Sequence, residues 1–367
     1  VNRAFRAIGL VLIPFSATAL AQSAPRPASE VKAAFHKLVD RPRIPLDFKT
    51  SDPKPRKPGL VVERLDFASE AKANGTVERV PVLLVRPETT PPGERRAAVI
   101  VLHGTGGNKE GLSNWLDDLA RLGFVAVAID GRYHGERSGG LPGTRAYNDA
   151  IVAAWRTPAG QPQAHPFYLD TVWDVWRTID YLETRPDVDP SRIGLAGISK
   201  GGIETWLGGA ADDRVKVAVP MIGVQSFRWS LDHDQWQARA KTIQDAHKLA
   251  ASDLGKSDVD RDVCLSVWPK LIPGILDDFD GPSMLRLFAG RSLLILNGEK
   301  DPNCPLGGTE LAIASARAAF HEVGADDHFQ AVIAPGVGHA VTPAGRKLAL
   351  EWFTKWLEPG RTTASGR

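Results

Sequence analysis

Six short apolar runs recur along this chain, at 97–102, 124–129, 193–198, 215–222, 293–296 and 329–333, and most lead through a glycine turn into a stretch with helical spacing. Strands apolar on both faces need helices on both faces, which a parallel sheet supplies through its crossover connections. The intervening stretches carry the matching stripes. Leu112, Trp115, Leu116, Leu119 and Leu122 step by three and four, as do Leu169, Val172, Trp176, Ile179 and Leu182. A last helix over 343–357 offers Leu348, Leu350, Trp352, Phe353 and Trp356. The pattern predicts an α/β fold, a mostly parallel central sheet with helices on both faces.

Upstream, the runs 60–67 and 77–85 flank Asn74-Gly75 and predict an antiparallel opening pair. Residues 24–58, rich in Pro, Lys and Arg, are expected to form a surface arm with one short helical stretch near 31–38. Two connections, 131–168 and 224–290, are too long for a plain crossover, and such insertions usually carry lids or substrate walls. The expected organisation is a signal peptide over 1–21, an extension with the opening strands over 22–95, and one main domain over 96–367 with a helical insertion at about 224–290.

The signal peptide rests on Arg3 and Arg6 before an apolar stretch over 7–15, with Ala19-Leu20-Ala21 as a cleavage site. That stretch carries Pro14 and is too short to cross about 30 Å of hydrocarbon, so a secreted or periplasmic location without a stable membrane anchor is expected. Export would let Cys264 and Cys304 pair, although two separately buried thiols fit equally well. With 45 basic and 43 acidic residues, the net charge of +2 gives no broad attraction for nucleic acid, so a small-molecule partner is expected. Neither an HExxH nor a CxxC spacing occurs, and no metal or cofactor is expected.

The run 193–198 ends in Gly197-Ile198-Ser199-Lys200-Gly201, a GxSxG pattern followed by a helical stretch through Trp206 and Leu207. A strand, a sharp turn and a helix in that order hold a serine hydroxyl above a sheet, with Gly197 and Gly201 letting strand and helix approach closely. Ser199 is therefore the candidate nucleophile. The first parallel run leads into Leu102-His103-Gly104-Thr105-Gly106-Gly107, a loop that offers backbone N–H groups. Attack on a carbonyl puts negative charge on its oxygen, and two preorganised donors stabilise it. The N–H groups of Lys200 and Thr105 are the expected oxyanion donors, with Gly106 the alternate and His103 orienting the loop.

Asp301 follows the run 293–296 and His339 follows the last run, between Gly338 and Ala340. Both lie at strand C-terminal ends, the edge where open α/β sheets bind ligands. His339 is the candidate general base and Asp301 its orienting acid, with Glu299 the nearest rival carboxylate. Trp229, Trp236 and Trp268 in the insertion, with Trp155 in the other connection, could stack on a sugar ring or an aromatic acyl group, or simply pin the insertion down.

At these segments the chain resembles the α/β-hydrolase superfamily, within it the group of dienelactone hydrolases, acetyl xylan esterases and prolyl oligopeptidase catalytic domains, over roughly 95–357. Residues 130–137, Asp130-Gly131-Arg132-Tyr133-His134-Gly135-Glu136-Arg137, are similar to that group's segment after the second parallel strand. The resemblance implies a serine hydrolase cleaving carboxylic esters through an acyl-enzyme, with a small peptidase or amidase, or a carbohydrate acetyl esterase, as alternatives. Dienelactone hydrolases carry a cysteine nucleophile, so Ser199 points away from that reaction. Lys200 stands where the group more often has an uncharged residue, either tuning the turn or pairing with a nearby carboxylate.

Overall fold

The computed structural model describes residues 26–91 and 93–357. The expected signal peptide lies outside them. Ten strands form one sheet: β1 (Lys49–Thr50), β2 (Lys54–Lys57), β3 (Leu60–Ala71), β4 (Val77–Pro87), β5 (Arg96–Leu102), β6 (Val125–Ile129), β7 (Val188–Ile198), β8 (Val215–Met221), β9 (Ser292–Gly298) and β10 (Phe329–Ala334). Their order is β1-β3-β4-β6-β5-β7-β8-β9-β10, with β2 pairing β3 off the path. From β6 through β10 every pair is parallel, and the opening strands are antiparallel. This is the α/β-hydrolase fold.

Alternation along the buried strands sorts the core into two layers. Ala98, Ile100 and Leu102 of β5 face one side, with Val125, Val127 and Ile129 of β6, against the helices Leu169–Thr184 and Lys200–Ala211. Ala97, Val99 and Val101 face the other, with Leu116 and Leu119 of the helix Ser113–Arg121 and Trp352 and Phe353 of the helix Pro343–Leu357. Every residue of β5 is buried, which is what a central strand covered on both faces requires.

The N-terminal segment departs from the expected surface arm. A helix Ala28–Val39 buries Val31, Phe35 and Val39, spaced by four on one face. Phe35 meets Trp176 and Phe279 edge-on, so this helix belongs to the core layer. The Pro-rich flanks obscured a short but regular stripe.

Between β8 and β9 the insertion contains the helices Phe227–Asp232, Gln237–Lys241, Gln244–Asp253, Arg261–Leu271 and Gly281–Leu285. It is bound to the other long connection by Trp155 Nε1 donating to Asp253 (2.8 Å), Gln163 Nε2 to the Lys270 carbonyl (2.8 Å), and Lys270 Nζ to the Thr157 carbonyl (3.1 Å). Cys264 and Cys304 are both buried and unpaired. Burial pushes each thiol up to about 12, so neither is a nucleophile near neutral pH. Among the described residues no helix is long and apolar enough to cross a membrane.

Candidate active site

β7 runs straight into the turn that holds Ser199 at φ 58° and ψ −112°, a backbone conformation rarely adopted by residues with a Cβ. Two close approaches enforce it. A Cβ on Gly197 would lie 2.1 Å from the Gly201 carbonyl oxygen, and one on Gly201 would lie 2.5 Å from the Leu102 carbonyl oxygen. Backbone faces backbone at both points, so neither neighbour can yield. The turn is held further by Ser199 N–H donating to the Met221 carbonyl (2.9 Å) and by Ile203 N–H donating to the Ser199 carbonyl (3.0 Å).

Because β7, β8, β9 and β10 are parallel, the loops after them open on one edge of the sheet. There the structure brings the three predicted residues together. Ser199 Oγ lies 2.7 Å from His339 Nε2, and His339 Nδ1 lies 2.7 Å from Asp301 Oδ2. The Asp301 side chain has no exposed surface, and its Oδ1 accepts from the N–H groups of Asn303 (2.8 Å) and Cys304 (3.3 Å). Its two oxygens thus have separate tasks, one fixing the loop and one facing the imidazole. Glu299 instead accepts from Gly336 N–H (2.6 Å) and braces the histidine loop from outside.

The loop after β5 passes directly over the serine, with the Cβ position of Gly104 3.4 Å from Ser199 Cβ. The N–H groups of Thr105 and Gly106 donate to no group among the described residues. Lys200 opens the helix Lys200–Ala211, where the first N–H groups have no partner within the helix. Both predicted donors are therefore unengaged beside the serine. The Lys200 side chain turns inward, where Nζ pairs with Glu204 Oε1 at 2.5 Å, both fully buried.

His103 fixes that loop. Its Nε2 accepts from Gly131 N–H (3.0 Å), so Nδ1 carries the proton and donates to the Gly104 carbonyl (2.8 Å). Burial, then the Lys200 charge, lowers its pKa to about 4, and burial lowers that of His247 in the insertion to about 4 as well. Both stay neutral in the folded protein, whereas the unfolded chain binds those protons from pH 6.5 downward. Stability present above pH 6.5 should thus be lost as the pH falls toward 4, by about 3 kcal/mol for each histidine at completion. Urea unfolding at pH 7.5 and pH 5 checks this, and His247→Phe should flatten the dependence.

Segment 130–137 is structural. The Asp130 carboxylate accepts from the Lys109 ammonium (2.8 Å) and from Glu136 N–H (3.0 Å), while the Arg132 guanidinium pairs with Asp174 (2.7 Å). These buried pairs anchor the connection that lies over the loop after β5, where a Cβ on Gly106 would lie 3.1 Å from Thr144 Cγ2.

The tryptophans require one correction. Trp268 is completely buried against Phe227, inside the insertion's own core, and offers no surface to a ligand. Trp236 is nearly as buried and donates to Asp234 (2.9 Å), and Trp229 stacks on His233 while lying against Gly307. Arg239 and Tyr168, which the sequence did not single out, are also buried close to the acid loop.

The Dienelactone hydrolase family matches this chain over residues 80–252, a span that includes Thr105 and Ser199 and stops short of Asp301 and His339. The Bacillus subtilis (strain 168) protein YtaP, named as a hydrolase, is 26% identical over 344 residues, covering 90% of this chain and 99% of its own length. The 4-O-methyl-glucuronoyl methylesterase of Hypocrea jecorina is 25% identical over 233 residues, covering 59% of this chain and 48% of that protein. Among solved structures, the acetyl xylan esterase from Paenibacillus sp. R4 superposes with a TM-score of 0.58 at 19% identity, covering 90% of this chain and 93% of that one.

Proposed function

Because this chain belongs to the α/β-hydrolase superfamily and is a carboxylic ester hydrolase, we propose that it works through an acyl-enzyme on Ser199, with His339 and Asp301 completing the triad. The serine Oγ attacks the ester carbonyl as His339 Nε2 takes its proton. The carbonyl oxygen gains the negative charge, which the N–H groups of Thr105 and Lys200 stabilise, each worth about 3 kcal/mol of barrier. The imidazolium then gives its proton to the departing alcohol oxygen as the C–O bond breaks, leaving the acyl group on Ser199. Water, deprotonated by the same imidazole, attacks the acyl carbon, and the acid leaves as Oγ regains its proton. Asp301 holds the imidazole in the tautomer that makes both transfers possible.

The observation that carries this reading is the unbroken relay of two 2.7 Å contacts from Ser199 through His339 to the buried Asp301. A fluorophosphonate should add one phosphonyl group to the folded protein, on the peptide containing Ser199. Labelling elsewhere, or none on folded protein, removes the assignment.

For the substrate we propose a carbohydrate ester. Support comes from the names of the relatives, an acetyl xylan esterase and a 4-O-methyl-glucuronoyl methylesterase. These place the sugar on opposite sides of the scissile bond, so acetylated xylo-oligosaccharide and methyl glucuronate distinguish them. Equal or higher kcat/KM on a plain alkyl ester such as ethyl butyrate would count against a sugar-directed site. Export is inferred from the apolar N-terminal stretch and its Ala19-Leu20-Ala21 site.

A further inference from the structure

We propose that Arg239, on the insertion helix Gln237–Lys241, is a positioning residue that holds the acid of the triad in register with His339. This rests on the triad reading given above. The guanidinium is almost entirely buried, yet among the described residues it forms no ion pair. A buried charge without a partner costs several kcal/mol unless its hydrogen bonds are well used. Here they converge on one loop. Nη2 donates to the Asn303 carbonyl at 2.7 Å and points at Cys304 Sγ at 3.6 Å.

Asn303 and Cys304 are the residues whose N–H groups hold Asp301 Oδ1. Arg239 therefore grips the acid loop from behind at the two residues that grip the carboxylate. The Gln225 amide, in the orientation that satisfies both its ends, closes the clamp. It donates to the Asn303 carbonyl (3.0 Å) and accepts from Arg239 Nε (2.9 Å). Tyr168, at φ 81° where the other long connection enters its helix, is buried close to the same guanidinium. The insertion, the turn after β8 and the 131–168 connection thus meet at one side chain, from which a continuous path runs through 303–304 and Asp301 to His339 and Ser199.

Arginine suits this place because its planar fork serves several acceptors at fixed angles, which an ammonium cannot do. Without it the carboxylate would lose its backbone donors and swing away from Nδ1. A misplacement of about 1 Å at such a group costs about 100-fold in rate. Arg239 is buried and offers almost no surface to a ligand, so KM should change little.

The test is a double-mutant cycle on the full chain with a p-nitrophenyl ester, alongside urea unfolding. Arg239→Met should lower kcat about 100-fold with KM within about threefold, and Arg239→Lys should recover about one order of magnitude. In an Asp301→Asn background, Arg239→Met should have no further effect on kcat. An equal loss in both backgrounds, or folded Arg239→Met with kcat unchanged, overturns the proposal. If Arg239→Met does not fold, Gln225→Leu decides: about a tenfold fall in kcat that vanishes in Asp301→Asn supports the clamp, and unchanged kcat overturns it. Should Asp301→Asn alone leave kcat intact, it is the triad reading that has failed, a result distinct from either outcome for Arg239.

Discussion

Replacing Ser199 by alanine should lower kcat for a p-nitrophenyl ester about a millionfold, the size of effect seen when a nucleophile is removed from a working triad. The reason is chemical, since alanine has no oxygen to acylate and the remaining catalysis comes from the oxyanion donors and binding alone. The folded protein should hardly notice. Ser199 is half-buried, and the lost contact to His339 is one hydrogen bond, worth about 1 kcal/mol. Glycine at the same position is more informative. The φ of 58° costs any residue with a Cβ about 1 kcal/mol or more, so Ser199→Gly should be equally inactive yet unfold at higher denaturant. An inactive Ser199→Gly that is no more stable would mean the turn stores no strain. An active one would mean another nucleophile carries the reaction.

Asp301→Asn should lower kcat about 10,000-fold at neutral pH without disturbing the fold. An asparagine amide can still hydrogen-bond Nδ1, but if it presents NH₂ there the imidazole must carry its proton on Nε2, the nitrogen that has to receive one from Ser199. The imidazolium would also lose the carboxylate that stabilises it. Glu299→Gln is the matched control. That side chain faces Gly336 N–H from an exposed position, so its kcat should stay within about threefold of the parent. Reversed magnitudes for the two variants would exchange their roles.

Much of this architecture could be read before any coordinates. The run at 97–102 matches β5 nearly end to end, because a strand covered on both faces leaves an uninterrupted apolar signature, while 329–333 matches the half-buried edge strand β10 despite the polar Gln330. The Gly197-to-Gly201 pattern was equally legible, since only glycine tolerates backbone at 2.1 Å and 2.5 Å from its Cβ position. What escaped was whatever depends on distant partners. The helix Ala28–Val39 buries just Val31, Phe35 and Val39, a stripe easily lost among prolines and charges. Trp268 could not be told from a cleft-lining ring, because composition does not say which side of an insertion is its inside. Arg239 looked like any polar residue on a short helix, and its importance appears only when Asn303, 64 residues away, comes within 2.7 Å. A tie between the insertion and the acid loop was conceivable from Cys264 and Cys304, yet the contact is made by a guanidinium.

The union of the two long connections bears on how this scaffold can diversify. Their side chains and carbonyls answer one another across Trp155–Asp253, Gln163–Lys270 and Lys270–Thr157, so neither has a complete interior of its own. Transplanting only one from a cousin would leave these donors and acceptors opposite the wrong partners, losing about 1 kcal/mol for each of the part-buried bonds and less for the exposed one. New selectivity on this framework should therefore be inherited as a pair, both segments exchanged at once, with the sheet beneath left alone.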